Sequence, residues 1–132
     1  MAITLTISTK ELERQAKAVF EGKNYKIFLA VKGALTVDST TAAWTAVEIT
    51  GNGYAAVTGS IGAGSYSAAN ARYEIPALNA TFTASGAGFT YDTICLVIDG
   101  AAYLHSINVE APAITLAAGQ TKSYTLTLAQ DD

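Results

Sequence analysis

The chain has 132 residues, of which half are hydrophobic and 14% are charged, and its formal net charge is −3. This composition excludes an intrinsically disordered chain, because the apolar surface is large enough to offset the loss of chain entropy on folding. The length fits one domain with its own core rather than two, and the single cysteine, Cys95, excludes an intramolecular disulfide framework.

Charge is distributed unevenly along the sequence. Residues 1–32 carry six lysines and arginines against three glutamates, a net +3, whereas residues 33–132 carry two positive residues against eight acidic ones, a net −6. The basic segment is therefore suited to an acidic partner or to the acidic part of another copy. Three net charges interrupted by glutamates do not form a continuous phosphate-binding stripe, so no nucleic-acid partner is predicted.

The start of the sequence predicts neither export nor a membrane anchor. The segment after Met1 lacks the basic start and the apolar run of a signal peptide. No apolar stretch approaches the roughly 20 residues that a membrane span needs. We therefore expect a soluble protein made in a reducing cytoplasm, without a membrane partner.

The first predicted elements are a strand and a helix. Residues 3–7 (ITLTI) alternate between apolar and polar side chains, as in a strand. Ser8 is followed three residues later by Glu11, the spacing of a capping box, and Gly22 provides a stop. We predict a helix over about 9–21. Its apolar stripe consists of Leu12, Ala16, Val19 and Phe20.

The remainder of the sequence predicts short strands separated by turns. Gly51-Asn52-Gly53 and Asp99-Gly100 are turn signals, and the Gly/Ser-rich segment 62–71 is predicted to be an exposed loop. The most apolar segment, 93–99, is predicted to be a buried central strand. Further strands are predicted within 25–31, 34–38, 45–50, 54–61, 72–78, 79–84, 102–109 and 113–129, the last divided at Gly119-Gln120.

This spacing of strands predicts a mainly β fold, an antiparallel β-sandwich of jelly-roll-like type with one N-terminal α-helix. Residues 1–24 are predicted to form a strand-and-helix arm, and residues 25–132 the sandwich domain. The alanine-rich composition predicts a thin core, of the kind that a neighbouring subunit often completes.

The residues that catalysis needs are scarce. His105 is the single histidine, and Cys95 lies in the most apolar segment, so structural roles are favoured for both. A Cys95–His105 dyad across a hairpin stays open as an alternative, although no activating third residue is evident. We predict that the chain is not an enzyme and has no catalytic residues, and we regard a small β-fold enzyme as disfavoured.

Binding motifs for cofactors and metals are also weak. One cysteine and one histidine do not supply the four ligands of a structural zinc site, and the acidic residues are scattered singly. Residues 51–56 fit the pattern G-x-G-x-x-A, but a strand-like segment follows instead of the helix that a dinucleotide site requires. A hairpin turn is favoured there, and no metal or cofactor is predicted.

The order of the later segments resembles a group of small bacteriophage structural proteins. Residues 25–38 resemble a "LYLAL"-type strand of that group, Glu48 to Tyr54 an E-[VI]-x-G-x-G-Y turn, and residues 102–129 an ending of the form L…P…I-xx-G…L-T-L. The strongest parts of the resemblance are Glu48 to Tyr54 and Ala113 to Leu128. The resemblance covers about 25–130, and a capped helix precedes it in those proteins too. This chain departs from the pattern at YEIPALN, where F-P-E-A is usual, and at Ile98, where an aromatic residue precedes Asp-Gly.

The resemblance implies a virion protein without catalytic residues. The favoured function is a capsid decoration (cement) protein that binds the major capsid protein and stabilises the shell, as a homo-oligomer and specifically a trimer. The alternative is a tail or tail-fibre component that binds a host receptor or carbohydrate, with Tyr66 and Tyr91 in loops as stacking residues. In either case the protein is expected in the virion, after synthesis in the host bacterial cytoplasm.

Two sets of residues are predicted to form protein interfaces. The first belongs to the basic N-terminal arm, and the second consists of apolar residues expected to remain outside the thin core, where exposed patches mark contacts. The members of the two sets are Lys10, Arg14, Lys17 and Phe20 in the arm, and Ile61, Phe82 and Phe89 in the body.

Overall fold

The computed structural model describes residues 3, 8, 10, 11, 14, 15, 18, 20–36, 38–69, 72–99, 104–127 and 129–131. The protein is mainly β, with 46% strand against 11% helix and antiparallel sheets, which confirms the predicted class. Helix α1 spans Thr41–Val47. The strands are β1 (Asn24–Ala30), β2 (Val57–Ser60), β3 (Ser65–Ser67), β4 (Arg72–Glu74), β5 (Leu78–Thr83), β6 (Phe89–Ile98), β7 (Ser106–Leu116), β8 (Thr121–Leu126) and β9 (Ala129–Asp131).

The chain divides into two compact units. The first consists of residues 1–23, 60–78 and 125–132, and the second of residues 24–59 and 79–124. In the first unit, β3, β4 and β9 form an antiparallel sheet in that order. The second unit contains α1, β1, β6 and β7, together with most of β2, β5 and β8.

The described residues of the predicted N-terminal helix are helical as far as Ala18, and Phe20 and Glu21 form a turn instead. Lys10, Glu11, Arg14, Gln15 and Ala18 have helical backbone, and the Ser8 hydroxyl accepts a hydrogen bond from the Glu11 N–H at 3.1 Å, as the capping motif predicts. The chain then pairs with the segment before β3, because the Gly22 N–H donates to the Ile61 carbonyl and the Ile61 N–H donates to the Lys23 carbonyl. Residues 4–7, Leu12, Ala16, Lys17 and Val19 lie outside the described residues.

Four of the described strands form a sheet in the order β2-β1-β6-β7. Phe28 lies opposite Cys95, and Cys95 lies opposite Ile107, so β6 runs between β1 and β7. Residues 93–98 are buried on both faces of the sheet. The predicted central position of the most apolar segment is therefore confirmed.

The region around Trp44 corrects the prediction of strand for residues 45–50. Residues 41–47 form α1, whose start is capped by the Thr40 hydroxyl accepting from the Ala43 N–H at 3.4 Å. Trp44 packs on Phe28 with ring centroids 5.0 Å apart. The β-branched residues of this segment suggested a strand, but the cap, the alanines and the burial of one large ring favour a helical turn over β1.

Two further local predictions are corrected. Residues 34–38 are not a strand where described, because the Leu35 N–H closes a turn onto the Lys32 carbonyl at 2.7 Å and the Leu35 side chain is buried. The Gly/Ser-rich segment 62–71 is not a loop throughout, since β3 lies within it. Serine and glycine favour turns in isolation, but pairing with β4 overrides that preference.

Strands β5 and β8 form a separate pair. Hydroxyls face each other on the exposed side, with Thr81 2.9 Å from Ser123 and Thr83 3.2 Å from Thr121, and alternate residues of β5 are buried. Gly119 lies between β7 and β8, as the predicted division at Gly119-Gln120 requires.

Five aromatic rings pack in a closed circuit beneath this pair. Each ring contacts the next, at centroid distances of 6.0, 6.4, 6.4, 6.2 and 5.8 Å in circuit order. The hydroxyls of the two tyrosines on β6 and β8 also bind each other. The circuit runs through Tyr54, Phe82, Tyr124, Tyr91, Phe89 and back to Tyr54. We call these residues the aromatic circuit.

Candidate functional site

The most connected polar cluster surrounds the turn between α1 and β2. Gly51, Asn52 and Gly53 all have positive φ, at 74°, 53° and 81°, which explains the two glycines. The Tyr54 N–H donates to the Gly51 carbonyl at 3.0 Å and closes the turn. As a result, the chain reverses direction and Tyr54 lies beside Glu48.

Tyr54 joins Glu48 to strand β1. Its hydroxyl donates to Glu48 Oε2 at 2.8 Å and accepts the Leu29 N–H at 3.0 Å. Glu48 is 14% exposed, so its carboxylate is held in a largely dry environment. We call the pair Glu48 and Tyr54, with the turn between them, the turn clamp.

Lys26 completes the cluster from β1. Its ammonium lies 3.0 Å from Glu48 Oε1 and stands over the rings of Phe28 and Trp44, 5.3 and 5.1 Å from the centroids. Both carboxylate oxygens of Glu48 therefore have a partner, and the ammonium also gains attraction from two aromatic faces. This arrangement ties α1, the turn and β1 together.

Two titratable groups at this cluster, the Cys95 thiol and the Tyr54 hydroxyl, are held in their neutral forms by burial. Burial raises the pKa of the Cys95 thiol to about 12, with a further contribution from the charge of Glu48. Burial, together with Glu48, also raises the pKa of Tyr54. A thiol with this pKa is not a thiolate near neutral pH, and it therefore lacks the main property that a Cys95–His105 dyad would require.

His105 lies at the end of the same sheet. Desolvation by neighbouring atoms lowers the pKa of its imidazole, although the residue as a whole is exposed. Its backbone N–H donates to the Leu96 carbonyl at 2.8 Å. This backbone bond extends the β6–β7 pairing by one residue.

The polar groups of the cluster bind one another and the backbone of the same fold. Lys26, Glu48 and Tyr54 bind one another and the backbone of β1, whereas the buried Trp44 Nε1 has no hydrogen-bond partner among the described residues. In the part of the chain that is described, no group of three or more histidine, cysteine, aspartate and glutamate side chains is placed to hold a metal ion. No helix there is long and apolar enough to span a bilayer.

The predicted apolar interface residues are not exposed. Phe82 and Phe89 are 2% and 8% exposed and belong to the aromatic circuit, and Phe20 and Ile61 are buried as well. The expectation that Ile61, Phe82 and Phe89 lie outside the core was wrong, because the two phenylalanine rings pack in the aromatic circuit and Ile61 is 2% exposed. The assignment of these three residues to a protein interface depended on their being exposed, so it is no longer supported.

The basic interface residues are placed differently. Lys10 and Arg14 are exposed on the N-terminal helix, where the Arg14 guanidinium binds the Glu11 carboxylate with Nε 2.8 Å from Oε2. Lys17 lies outside the described residues. The compact unit that holds this helix also includes residues 60–78 and 125–132, and it carries five cationic against six acidic residues, a net −1. The charge asymmetry of the sequence is therefore not an asymmetry between the units.

The two tyrosines predicted to contact carbohydrate differ in exposure. Tyr66 is 36% exposed on β3, whereas Tyr91 is fully buried in the aromatic circuit.

Sequence reasoning also missed Lys26 and Trp44 as parts of one cluster. The sequence does contain a signal for the turn clamp, because an acidic residue and a tyrosine flank Gly51-Asn52-Gly53 closely enough to meet across it.

The motif on which the resemblance to phage structural proteins is strongest, Glu48 to Tyr54, is therefore a folded unit with its own internal bonds. The second motif, Ala113 to Leu128, includes the last residues of β7 and the whole of β8. Comparison of the whole chain with protein-family models, with curated proteins and with solved structures finds no match.

Proposed function

We propose that the chain is a non-enzymatic structural protein of a bacteriophage virion, and that it decorates the major capsid shell as a cement protein. The observation that carries the proposal is the turn clamp. The residues of the resembling motif bind each other and the β1 backbone, a role in holding a fold rather than in transforming a substrate. A motif of this kind suits a family whose shared property is a rigid β-domain.

The sandwich is part of the proposal. The aromatic circuit supports two layers in the second unit, because Phe82 on β5 and Tyr124 on β8 pack against rings from β6 and from the turn clamp. Buried rings between strand pairs are typical of β-sandwiches. A jelly-roll-like connection of these strands is the arrangement that we propose.

We also propose that the protein is a homotrimer and that the basic face of its N-terminal helix contacts the shell. Open sheets present unpaired backbone groups at their edges, and symmetric assembly covers such edges. The threefold order follows from the resemblance, since capsid lattices offer threefold positions. Lys10, Arg14 and Lys17 are the residues that we assign to the contact with the major capsid protein.

A tail or tail-fibre component that binds a host receptor or carbohydrate is the second candidate. The observation that favours it is the exposure of Tyr66 on β3, since an exposed aromatic ring is suited to stacking on a sugar. Tyr91 does not support this candidate, because its ring is buried.

The copy number of the chain in purified particles tests both candidates. A copy number in proportion to the major capsid protein is expected for a decoration protein, and a small fixed number would instead favour the tail. Light scattering on the free protein should give three times the 13.7 kDa of one chain, and a mass of one chain would overturn the free trimer.

The shell contact is tested with charge reversal rather than truncation, because Gly22 and Lys23 form backbone bonds with Ile61. The double variant Lys10→Glu/Arg14→Glu should fold and fail to bind particles that lack the protein. Lys122→Glu, which reverses an exposed charge on β8, is the matched control and should bind normally. Normal binding of the double variant would exclude this helix face as the contact.

A further inference from the structure

The turn clamp contains a chemically reactive dipeptide. Asn52 is followed by Gly53, and both residues are exposed. Of the asparagines in the sequence, Asn52 is the one that precedes a glycine. A glycine leaves the next backbone nitrogen unshielded, because it has no side chain to obstruct approach to the asparagine carboxamide.

We propose that Asn52 is a site of spontaneous deamidation whose rate is controlled by the fold of the turn. The Gly53 nitrogen, after giving its proton to a solvent base, attacks Asn52 Cγ. The new N–Cγ bond forms as the Cγ–Nδ2 bond breaks, and Nδ2 leaves as ammonia with a proton from water. Water then opens the five-membered imide at either carbonyl and produces aspartate or isoaspartate, so no oxidant or reductant is needed.

The folded turn holds Asn52 at both its backbone and its side chain. The Asn52 carbonyl accepts the Ser85 N–H at 2.8 Å. The side-chain Oδ1 lies against Gly86, 3.2 Å from the position that a Cβ on that glycine would occupy. The Asn52 carbonyl belongs to the Asn52–Gly53 peptide group, so any rotation of that group that carries the Gly53 nitrogen to Cγ also breaks the bond to Ser85. Deamidation therefore requires the turn to open.

The two products affect the turn clamp differently. Isoaspartate adds a methylene to the backbone between Glu48 and Tyr54, and this extra length displaces the Tyr54 hydroxyl from its bonds to Glu48 and Leu29. Aspartate keeps the backbone length and adds only a negative charge. The isoaspartate form thus weakens the link between α1, the turn and β1, and the protein changes irreversibly with age.

The experiment incubates the full chain in mildly alkaline buffer and follows the mass change from an amide to an acid by peptide mapping. Asn108 is the internal control, because it is also exposed and is followed by the β-branched Val109. We expect loss of the amide at Asn52 to be at least about tenfold faster than at Asn108, since glycine removes the steric obstruction. Isoaspartyl methyltransferase labelling then separates isoaspartate from aspartate.

Control by the fold is tested with Tyr54→Phe, which removes the hydroxyl of the turn clamp and keeps the ring. Deamidation should be faster in this variant, and unchanged in the matched variant Tyr66→Phe. Gly53→Ala is unsuitable, because its Cβ would lie 2.5 Å from Ser85 Oγ. A titration of the unmodified chain with urea provides a second measurement, in which the rate at Asn52 should rise as the turn opens.

Two results would overturn the proposal. Retention of the Asn52 amide in the folded chain, over a period in which the urea-unfolded chain loses it, excludes a site that operates in the native protein. Equal rates in the folded and unfolded chains exclude control by the turn. Asn52→Asp, which has no ammonia to lose, gives the baseline mass and the stability of the aspartate product.

Discussion

The hydroxyl of Tyr54 lies 2.8 Å from Glu48 Oε2 across a turn of three residues with positive φ. The same hydroxyl accepts the Leu29 N–H, so one oxygen joins the end of α1 to the last residues of β1. Glu48 also forms an ion pair with Lys26, whose ammonium lies over two aromatic rings. The first predictions test how much this cluster contributes to stability.

Tyr54→Phe should lower the free energy of unfolding by about 1–3 kcal/mol, because it leaves the Leu29 N–H and one oxygen of Glu48 without a partner. Urea denaturation measures the change. Tyr66→Phe is the matched control and should stay within about 0.5 kcal/mol of the parent, as expected for an exposed hydroxyl. Equal effects of the two substitutions would contradict the importance of the turn clamp.

Trp44→Ala should cost about 3–5 kcal/mol, because it removes a buried ring that stacks on Phe28. Trp44→Phe should cost clearly less. The indole N–H has no described partner, so its removal relieves an unsatisfied buried donor while keeping an aromatic ring. Thermal unfolding followed by circular dichroism compares the two, and equal losses would argue that the indole N–H does have a partner.

Phe82→Ala should destabilise the folded chain by about 3–5 kcal/mol, because Phe82 is a buried member of the aromatic circuit. Val109→Ala, at a position 47% exposed on β7, should have little effect on stability. Denaturant unfolding and light scattering are measured together on both variants. If Phe82→Ala changed the oligomeric state and left stability unaltered, the residue would belong to an interface rather than to the core.

The free energy of unfolding should fall at alkaline pH. Cys95 ionises near pH 9.0 in the unfolded chain, but burial raises its pKa to about 12 in the folded chain, so the folded state retains the proton more strongly. This contribution is fully present below pH 9 and is lost as the pH rises toward 12. Burial also raises the pKa values of Tyr54, Tyr91 and Tyr124, which act in the same direction.

Urea denaturation across this pH range measures the decline, and Cys95→Ala is the variant that isolates the thiol. The decline should be shallower in that variant, because its unfolded chain has no thiol to ionise. A thiol reagent should label Cys95 only after unfolding, since the side chain is buried. Rapid labelling of the native protein near neutral pH would contradict the raised pKa.

The features that follow from local periodicity or from turn chemistry could be predicted from the sequence. Residues 93–99 are the most apolar segment and do form most of the central strand β6, and Ser8 caps the helix at Glu11 as its spacing indicates. Gly51-Asn52-Gly53 predicts a turn because it demands positive φ. Each of these signals lies within a few neighbouring residues.

The features that depend on distant partners could not be predicted in the same way. Helix α1 contains β-branched residues, and its helical state depends on Trp44 packing on Phe28 of β1. Phe82 and Phe89 are predicted from the sequence to lie outside a core of alanine and aliphatic residues. No periodic pattern indicates that their rings meet Tyr54 and Tyr124. Tertiary packing decides both cases.

The pairing of β1 with β6 affects how the chain is made. Phe28 is synthesised long before Cys95, the residue opposite it, so the apolar strand Asn24–Ala30 leaves the ribosome without β6, one of its two neighbours in the sheet. Until β6 follows, its backbone edge and its Phe and Leu side chains are open to other nascent chains. A chaperone that holds extended apolar segments, or slow translation after β6 rather than before it, should therefore improve the yield of folded protein.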